Sequence, residues 1–379
     1  MNPRLSTRNP KPETGNLSIY LHIPFCLRLC PYCHFYRVPD VPHWREYLDA
    51  VTREIHPLAN HRGRSVRTFY AGGGTPTLLP PEFYDLLFQR LGEGFDMTGA
   101  AESTIETDEV SNIEELAGYA QAGFDRVSIG VKSFDLRVRA LIGAGDLVDC
   151  DPVATAREAG FSSVNLDLIY GIQGQGMKNF TADLERTVES GPDHISLYAL
   201  EEQEEAGPRE SDPDLAADMF RESLRVLTAA GYRQYEITNF ALIGLESLHN
   251  TVYWEDGDYI GLGPSAHSSV TENGTRIRWR NRPDLEAYLR DPGDCREELS
   301  RQQGEDRARE ALILGLRMTK GVQRAAFARR YGFDPLDLIK AHLADLMAGG
   351  LVRFSADKVR LTTRGMLLSN EVFVRILES

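Results

Sequence analysis

Residues 18–33 read SIYLHIPFCLRLCPYC, and this stretch decides the fold. Its first part, Ser18–Ile23, is apolar and β-branched and is stopped by Pro24, which predicts a strand. Its second part sets Cys26, Cys30 and Cys33 on one loop that Pro24 and Pro31 keep from becoming helix. Working outward, strand-like runs recur at Val66–Gly72, Ser103–Asp108, Asp125–Val131, Ser163–Tyr170 and His194–Leu200. Helical periodicity fills the gaps at Trp44–Ala59, Pro81–Leu91, Ile113–Ala122, Asp151–Ala159 and Lys178–Ser190, and a further helix is predicted over Asp214–Ala230. Six β-then-α units in series call for parallel strands with right-handed crossovers. Six is two short of the closed eight-stranded barrel, so the expected fold is α/β, a partial (β/α)6 TIM-like barrel. A flat doubly wound sheet is the alternative that periodicity leaves open.

The chain of 379 residues has room for two or three domains. We expect a disordered tail over 1–17, the barrel over 18–235 and a connecting, pocket-covering segment over 236–304 that reads as irregular. A small C-terminal domain follows over 305–379. There, helical patterns at Asp306–Met318, Gln323–Tyr331 and Pro335–Ala348 precede a hairpin-like run, Leu351–Thr362, which together suggest a winged-helix-like unit. The acidic stretch Glu201–Asp214 reads as a solvated loop. No apolar run approaches the roughly 18 residues that span a bilayer. The polar, Pro-rich start is not a secretory signal, so a cytoplasmic location is expected. A net charge of −14 argues against nucleic acid as a partner.

Active sites in such folds lie at the C-terminal ends of the strands. The unusual polar residues fall there. The cysteines follow the first strand, Gly72–Pro76 the second, Glu106 closes the third, Lys132 the fourth, and Asp167 lies late in the fifth. Three thiolates on one loop admit two readings. With His22 or His34 they make a Cys3His zinc site. Alone they hold a [4Fe–4S] cluster with one open iron. The glycines can serve a tight turn or let the backbone approach a ligand.

These motifs resemble the radical S-adenosylmethionine enzymes, and more narrowly the oxygen-independent coproporphyrinogen III oxidase-like family with its HemW-type haem chaperones. The resemblance runs from Tyr20–Cys33 through Gly72–Pro76, Glu106, Asn165–Gly171, His194–Tyr198, Tyr235–Phe240, His249–Trp254 and Tyr259–Gly263. It ends in a C-terminal region near Leu361–Gly365. It implies that Cys26, Cys30 and Cys33 ligate a [4Fe–4S] cluster whose fourth iron binds S-adenosyl-L-methionine. One electron would then release a 5′-deoxyadenosyl radical. It further implies that Tyr20, Gly73, Gly74, Thr75, Glu106 and Asp167 surround that cofactor, the glycines and Thr75 through backbone groups. His249, Tyr253 and Trp254 would bind haem, with His249 as axial imidazole and His267 as the other candidate.

Several positions depart from the family pattern. Lys132 replaces a usual Gln, Ala144 a usual Arg, and Glu109 a common Pro. Lys132 could restore a charge near the cofactor. The expected function is therefore a haem chaperone that passes haem to an acceptor protein, with an electron donor for the cluster. The alternative is an enzyme, a coproporphyrinogen III dehydrogenase or a radical methyltransferase. The dehydrogenase carries a fourth Cys at the place of Phe35, which favours the chaperone. A zinc-stabilised scaffold without redox chemistry is the third reading.

Overall fold

The computed structural model describes residues 16–378 except 40, 42, 62, 109–112, 146–149 and 203–206. The expected tail through residue 15, Glu109 and the centre of the acidic stretch lie outside these residues. Six parallel strands form as the alternation demands: β1 (Leu17–Ile23), β2 (Val66–Gly73), β3 (Glu102–Thr107), β4 (Arg126–Lys132), β5 (Ser163–Tyr170) and β6 (His194–Ala199). The helices between them are α1 (Trp44–Ile55), α2 (Pro81–Gly92), α3 (Ile113–Gln121), α4 (Leu136–Leu141), α5 (Pro152–Glu158) and α6 (Met177–Ser190), with α7 (Pro213–Ala229) after β6. Asp135, Asp151 and Asp212 cap α4, α5 and α7 by accepting backbone N–H groups, which fixes where those helices start.

The two faces of the strands differ in kind. One face carries Ile19 and Leu21 of β1, Phe69 and Ala71 of β2, Val127 and Ile129 of β4, and Leu166 and Leu168 of β5, all packed into the main core. The other face carries Tyr20, Tyr70, Glu106, Arg126, Ser128, Asn165 and Ser196 from all six strands, and these line one cavity of about 560 Å³. Side chains of six strands reach a single cavity only if the sheet curls, so the flat-sheet alternative is excluded. A closed barrel fills its interior with apolar side chains. Here the inward residues are polar or aromatic and the interior stays open.

Residues 236–304 are more regular than expected. Short strands β7 (Arg233–Gln234) and β8 (Asn239–Ala241) end the sheet beyond β6. After α8 (Leu248–Trp254), β9 (Asp258–Leu262) pairs parallel to β1. Strands β10 (His267–Glu272), β11 (Thr275–Asn281) and, after α9 (Leu285–Arg290), β12 (Arg296–Gln302) extend that edge antiparallel. Ile260, Val270, Trp279 and Tyr288 join the main core. These strands are short or, like Arg296–Gln302, almost wholly polar, so the period-2 apolar signal is missing from the sequence.

The C-terminal part begins with α10 (Gly304–Leu316). Strand β13 (Val322–Gln323) pairs with the hairpin of β14 (Val352–Phe354) and β15 (Lys358–Leu361). Helix α11 (Arg324–Tyr331) follows as expected, but the predicted helix over 335–348 is broken into α12 (Pro335–Leu338) and α13 (Leu343–Ala348), before α14 (Thr363–Leu367) and α15 (Ser369–Glu378). This part has its own core around Leu312, Leu316 and Val359. It is latched to the rest through Asp256, which meets Arg307, Arg330 and the Tyr331 hydroxyl. Among the described residues, no helix is long and apolar enough to cross a membrane.

Candidate functional site

The cysteine loop leaves β1 at Pro24 and turns across the rim. Cys26 is buried, Cys30 and Cys33 are half-buried, and all three thiols are free. The loop is held from within. The Arg37 guanidinium donates to the carbonyls of Cys30 (2.6 Å), Cys33 (2.5 Å) and Phe35 (3.1 Å). The thiols meet polar groups of the rim: Cys26 Sγ the Thr75 hydroxyl at 3.8 Å, the Cys30 thiol the Tyr32 hydroxyl, and the Cys33 thiol the Phe35 N–H. A Cβ on Gly74 would stand 2.9 Å from Cys26 Sγ and 2.5 Å from the Phe25 carbonyl. Glycine there is what lets the loop seat on the rim.

The backbone amides of this turn are engaged within the protein. Gly73 N–H donates to Glu106 (3.0 Å), Gly74 N–H to the Ile23 carbonyl (2.7 Å) and Thr75 N–H to the Phe25 carbonyl (2.8 Å). The turn contributes close approach. Gly73 sits at φ +109, and a Cβ there would strike the His22 ring at 2.5 Å. His22 in turn has both ring nitrogens engaged, by Tyr20 Oη and the Tyr36 carbonyl. It is therefore no fourth metal ligand, and His34 lies exposed. Among the described residues, no trio of His, Cys, Asp or Glu is arranged to hold a single metal ion.

The expected cofactor residues divide between two spaces. Thr75 and Lys132 line a rim cleft of about 370 Å³ together with Cys30, Tyr32, Asp108 and Ala144. Tyr20, Gly73 and Glu106 line the interior cavity. Asp167 faces neither directly; it accepts from Ser128 Oγ (3.0 Å) and Asn165 Nδ2 (2.7 Å) and so anchors the cavity wall. Glu106 accepts from the Tyr70 hydroxyl at 2.6 Å, and burial lifts its carboxyl to about 7. Lys132 has a left-handed backbone, φ +67, uncommon for a residue with a Cβ. Its ammonium pairs with Asp108 at 2.7 Å. In the same cleft as Ala144, the Arg139 guanidinium is fixed by the carbonyls of Val131 and Gly145, and the Arg28 guanidinium lies against Gly145.

The expected haem residues sit together on α8. Glu102 of β3 holds that helix by accepting from Leu248 N–H (2.9 Å) and His249 N–H (2.9 Å). His249, Tyr253 and Trp254 all line the interior cavity. His249 is 1% exposed, with Nδ1 2.8 Å from Thr68 Oγ1 and Nε2 2.7 Å from the Tyr253 hydroxyl. Thr68 spends its own proton on Ser18, so Nδ1 carries the ring proton and Nε2 takes the tyrosine proton. The lone pair an axial ligand would use is thereby occupied by the Tyr253 hydroxyl. His267, exposed at the cavity mouth, is the freer imidazole. The sequence reading missed Arg37, Asp108 and Arg126. Arg126 alone left a signal, a charge at an inward position of a strand whose outward residues, Val127, Ile129 and Val131, are apolar.

Comparison with known proteins bears on both spaces. Residues 20–187 match the profile of the Radical SAM superfamily, and residues 302–368 match the HemN C-terminal domain. The heme chaperone HemW of Bacillus subtilis is 33% identical over 383 residues, covering 94% of this chain and 98% of that protein. The heme chaperone HemW of Escherichia coli is 31% identical over 369 residues, covering 94% and 97%. Among solved structures, the coproporphyrinogen III oxidase HemN of Escherichia coli, a radical SAM enzyme, superposes with a TM-score of 0.79 at 26% identity, over 95% of this chain and 89% of that one.

Proposed function

The chain belongs to the radical SAM superfamily, on the branch whose curated members include the heme chaperones HemW, and from that membership we propose that it binds haem in its interior cavity and hands it to an acceptor protein. The observation that carries this reading is the cavity itself, about 560 Å³. Tyr20, Tyr70, Tyr253, Trp254 and Tyr259 give it flat apolar walls, and its volume falls in the range of small-molecule sites. Tyr253 and Trp254 supply surface for a macrocycle. His249 positions Tyr253 rather than meeting iron. His267 is the axial imidazole, and partial desolvation at the cavity mouth together with Arg280 and Arg278 lowers its pKa, which favours the neutral form that ligates.

Family membership implies a [4Fe–4S] cluster and S-adenosylmethionine, and the residues present fit a cluster. Cys26, Cys30 and Cys33 would hold it, on a loop whose backbone Arg37 already orders and whose seat only glycine at position 74 permits. When bound, the cluster supplies one-electron chemistry. The rim cleft beside Cys30 takes the cofactor, with Lys132 and Asp108 as its charged wall. An enzymatic role in porphyrin metabolism is the second reading, favoured by the likeness to the oxidase structure. Anaerobic reconstitution, followed by parallel haem titration and S-adenosylmethionine cleavage, tests the proposal. Haem binding near one per chain without porphyrinogen turnover supports it; turnover without stable haem binding replaces it with the enzyme.

A further inference from the structure

Arg126 opens β4 and points inward at the base of the cavity. It is 3% exposed. An arginine at such depth normally has a carboxylate partner, because its charge persists and an unpaired buried charge is costly. Among the described residues Arg126 has no ion pair and no side-chain hydrogen bond, and its Nε is buried without an acceptor. Every other buried arginine here is met: Arg276 by Asp256 and Asp258, and Arg139 by backbone carbonyls. The carboxylates of Glu102 and Asp167 on neighbouring strands act on Arg126 through space without an ion pair, and each is hydrogen-bonded elsewhere. Glu102 holds the start of α8, and Asp167 is held by Ser128 and Asn165. Ser128 and Asn165 line the cavity beside Arg126 with their donor groups already bonded to Asp167.

We propose that Arg126 is the receptor for a carboxylate of the cavity's ligand, so that the cavity selects flat aromatic molecules that carry an acid side chain. A guanidinium presents a planar fork that matches a carboxylate with two parallel hydrogen bonds. The surrounding tyrosines and Trp254 provide the complementary flat surface. Resting on the haem reading, this assigns a haem propionate to Arg126 and directs the acid edge of the macrocycle inward, leaving the opposite edge toward the mouth. The carboxylate of S-adenosylmethionine is the other source of the same chemistry, and the test separates the two.

The wild-type protein should bind haemin at least tenfold more tightly than haemin dimethyl ester, and 1-pyrenebutyrate at least tenfold more tightly than 1-pyrenebutanol, read by absorbance and fluorescence titration. In Arg126→Met both preferences should vanish, while its melting temperature stays equal or rises, as expected on removing an unpaired charge. Affinity for S-adenosylmethionine should not change. Equal wild-type binding of acid and neutral forms overturns the assignment while leaving haem binding intact. Pyrenebutyrate selection without haem binding upholds the assignment and overturns the haem reading. Loss of S-adenosylmethionine binding in Arg126→Met, with the haemin preference kept, gives the carboxylate to the cofactor and also overturns it.

Discussion

Replacing Arg37 with methionine should loosen the cysteine loop without touching a thiol. Arg37 donates to three carbonyls of that loop, and its bonds to Cys30 and Cys33, at 2.6 and 2.5 Å, tie together two of the three cysteines. A hydrogen bond from a charged donor contributes about 1.5–3 kcal/mol. Arg37 is only half-buried, so the lower value applies. Losing the two short bonds then removes about 3 kcal/mol from the ordered loop, or roughly a hundredfold in its affinity for a cluster. Arg37→Lys should recover only part, because one ammonium on a flexible stem lacks the rigid fork that spans separate carbonyls. The assay is iron and sulfide content after anaerobic reconstitution, with the rate at which a chelator bleaches the cluster absorbance, and circular dichroism as the check on folding. A folded Arg37→Met variant with wild-type iron content and the wild-type bleaching rate would refute the reasoning.

Cys26→Ala, Cys30→Ala and Cys33→Ala should each abolish the cluster absorbance while Cys150→Ala and Cys295→Ala keep it; normal iron in the loop triple variant sinks the cluster assignment. His267→Ala should weaken haem and shift its Soret band more than His249→Ala, whose nitrogens already serve Thr68 and Tyr253; the reverse order in a haem titration returns the axial role to His249. The double change Lys132→Gln with Ala144→Arg should tighten S-adenosylmethionine by about tenfold, one charge-assisted bond regained; weaker binding by calorimetry makes the Lys132–Asp108 pair a site of its own. Burial lifts the Glu54 carboxyl to about 7, so the folded state holds its proton more tightly than the unfolded state. That contribution is complete below about pH 4.5, where both states are protonated, and is lost as pH rises through about 7. The stability of wild type relative to Glu54→Gln should therefore fall between pH 5 and 8, read by urea melts, and a rising difference contradicts it.

What the sequence determined by itself is what short-range pattern can carry. The six inner strands and their helices, the short α4 excepted, were legible because each is a local run whose apolar period matches its own geometry. The cysteine loop was legible because spacing and two prolines suffice. The strands β9–β12 were not, since residues such as Arg296–Gln302 gain strand structure only by pairing along an edge that a distant segment supplies. The site divided the same way. Residue types at the rim suggested the chemistry only together with the family resemblance, and only the curl of the sheet sorted them between a rim cleft and an interior cavity. Whether a group is open or committed depends on partners far away in the chain. His249 on α8 loses its lone pair to Tyr253 while Thr68 on β2 takes its proton. Arg126 is left unpaired because Glu102 is drawn to α8 and Asp167 to Ser128 and Asn165. Such long-range hydrogen bonds are set by strand register and helix docking, and neither is written in any one segment.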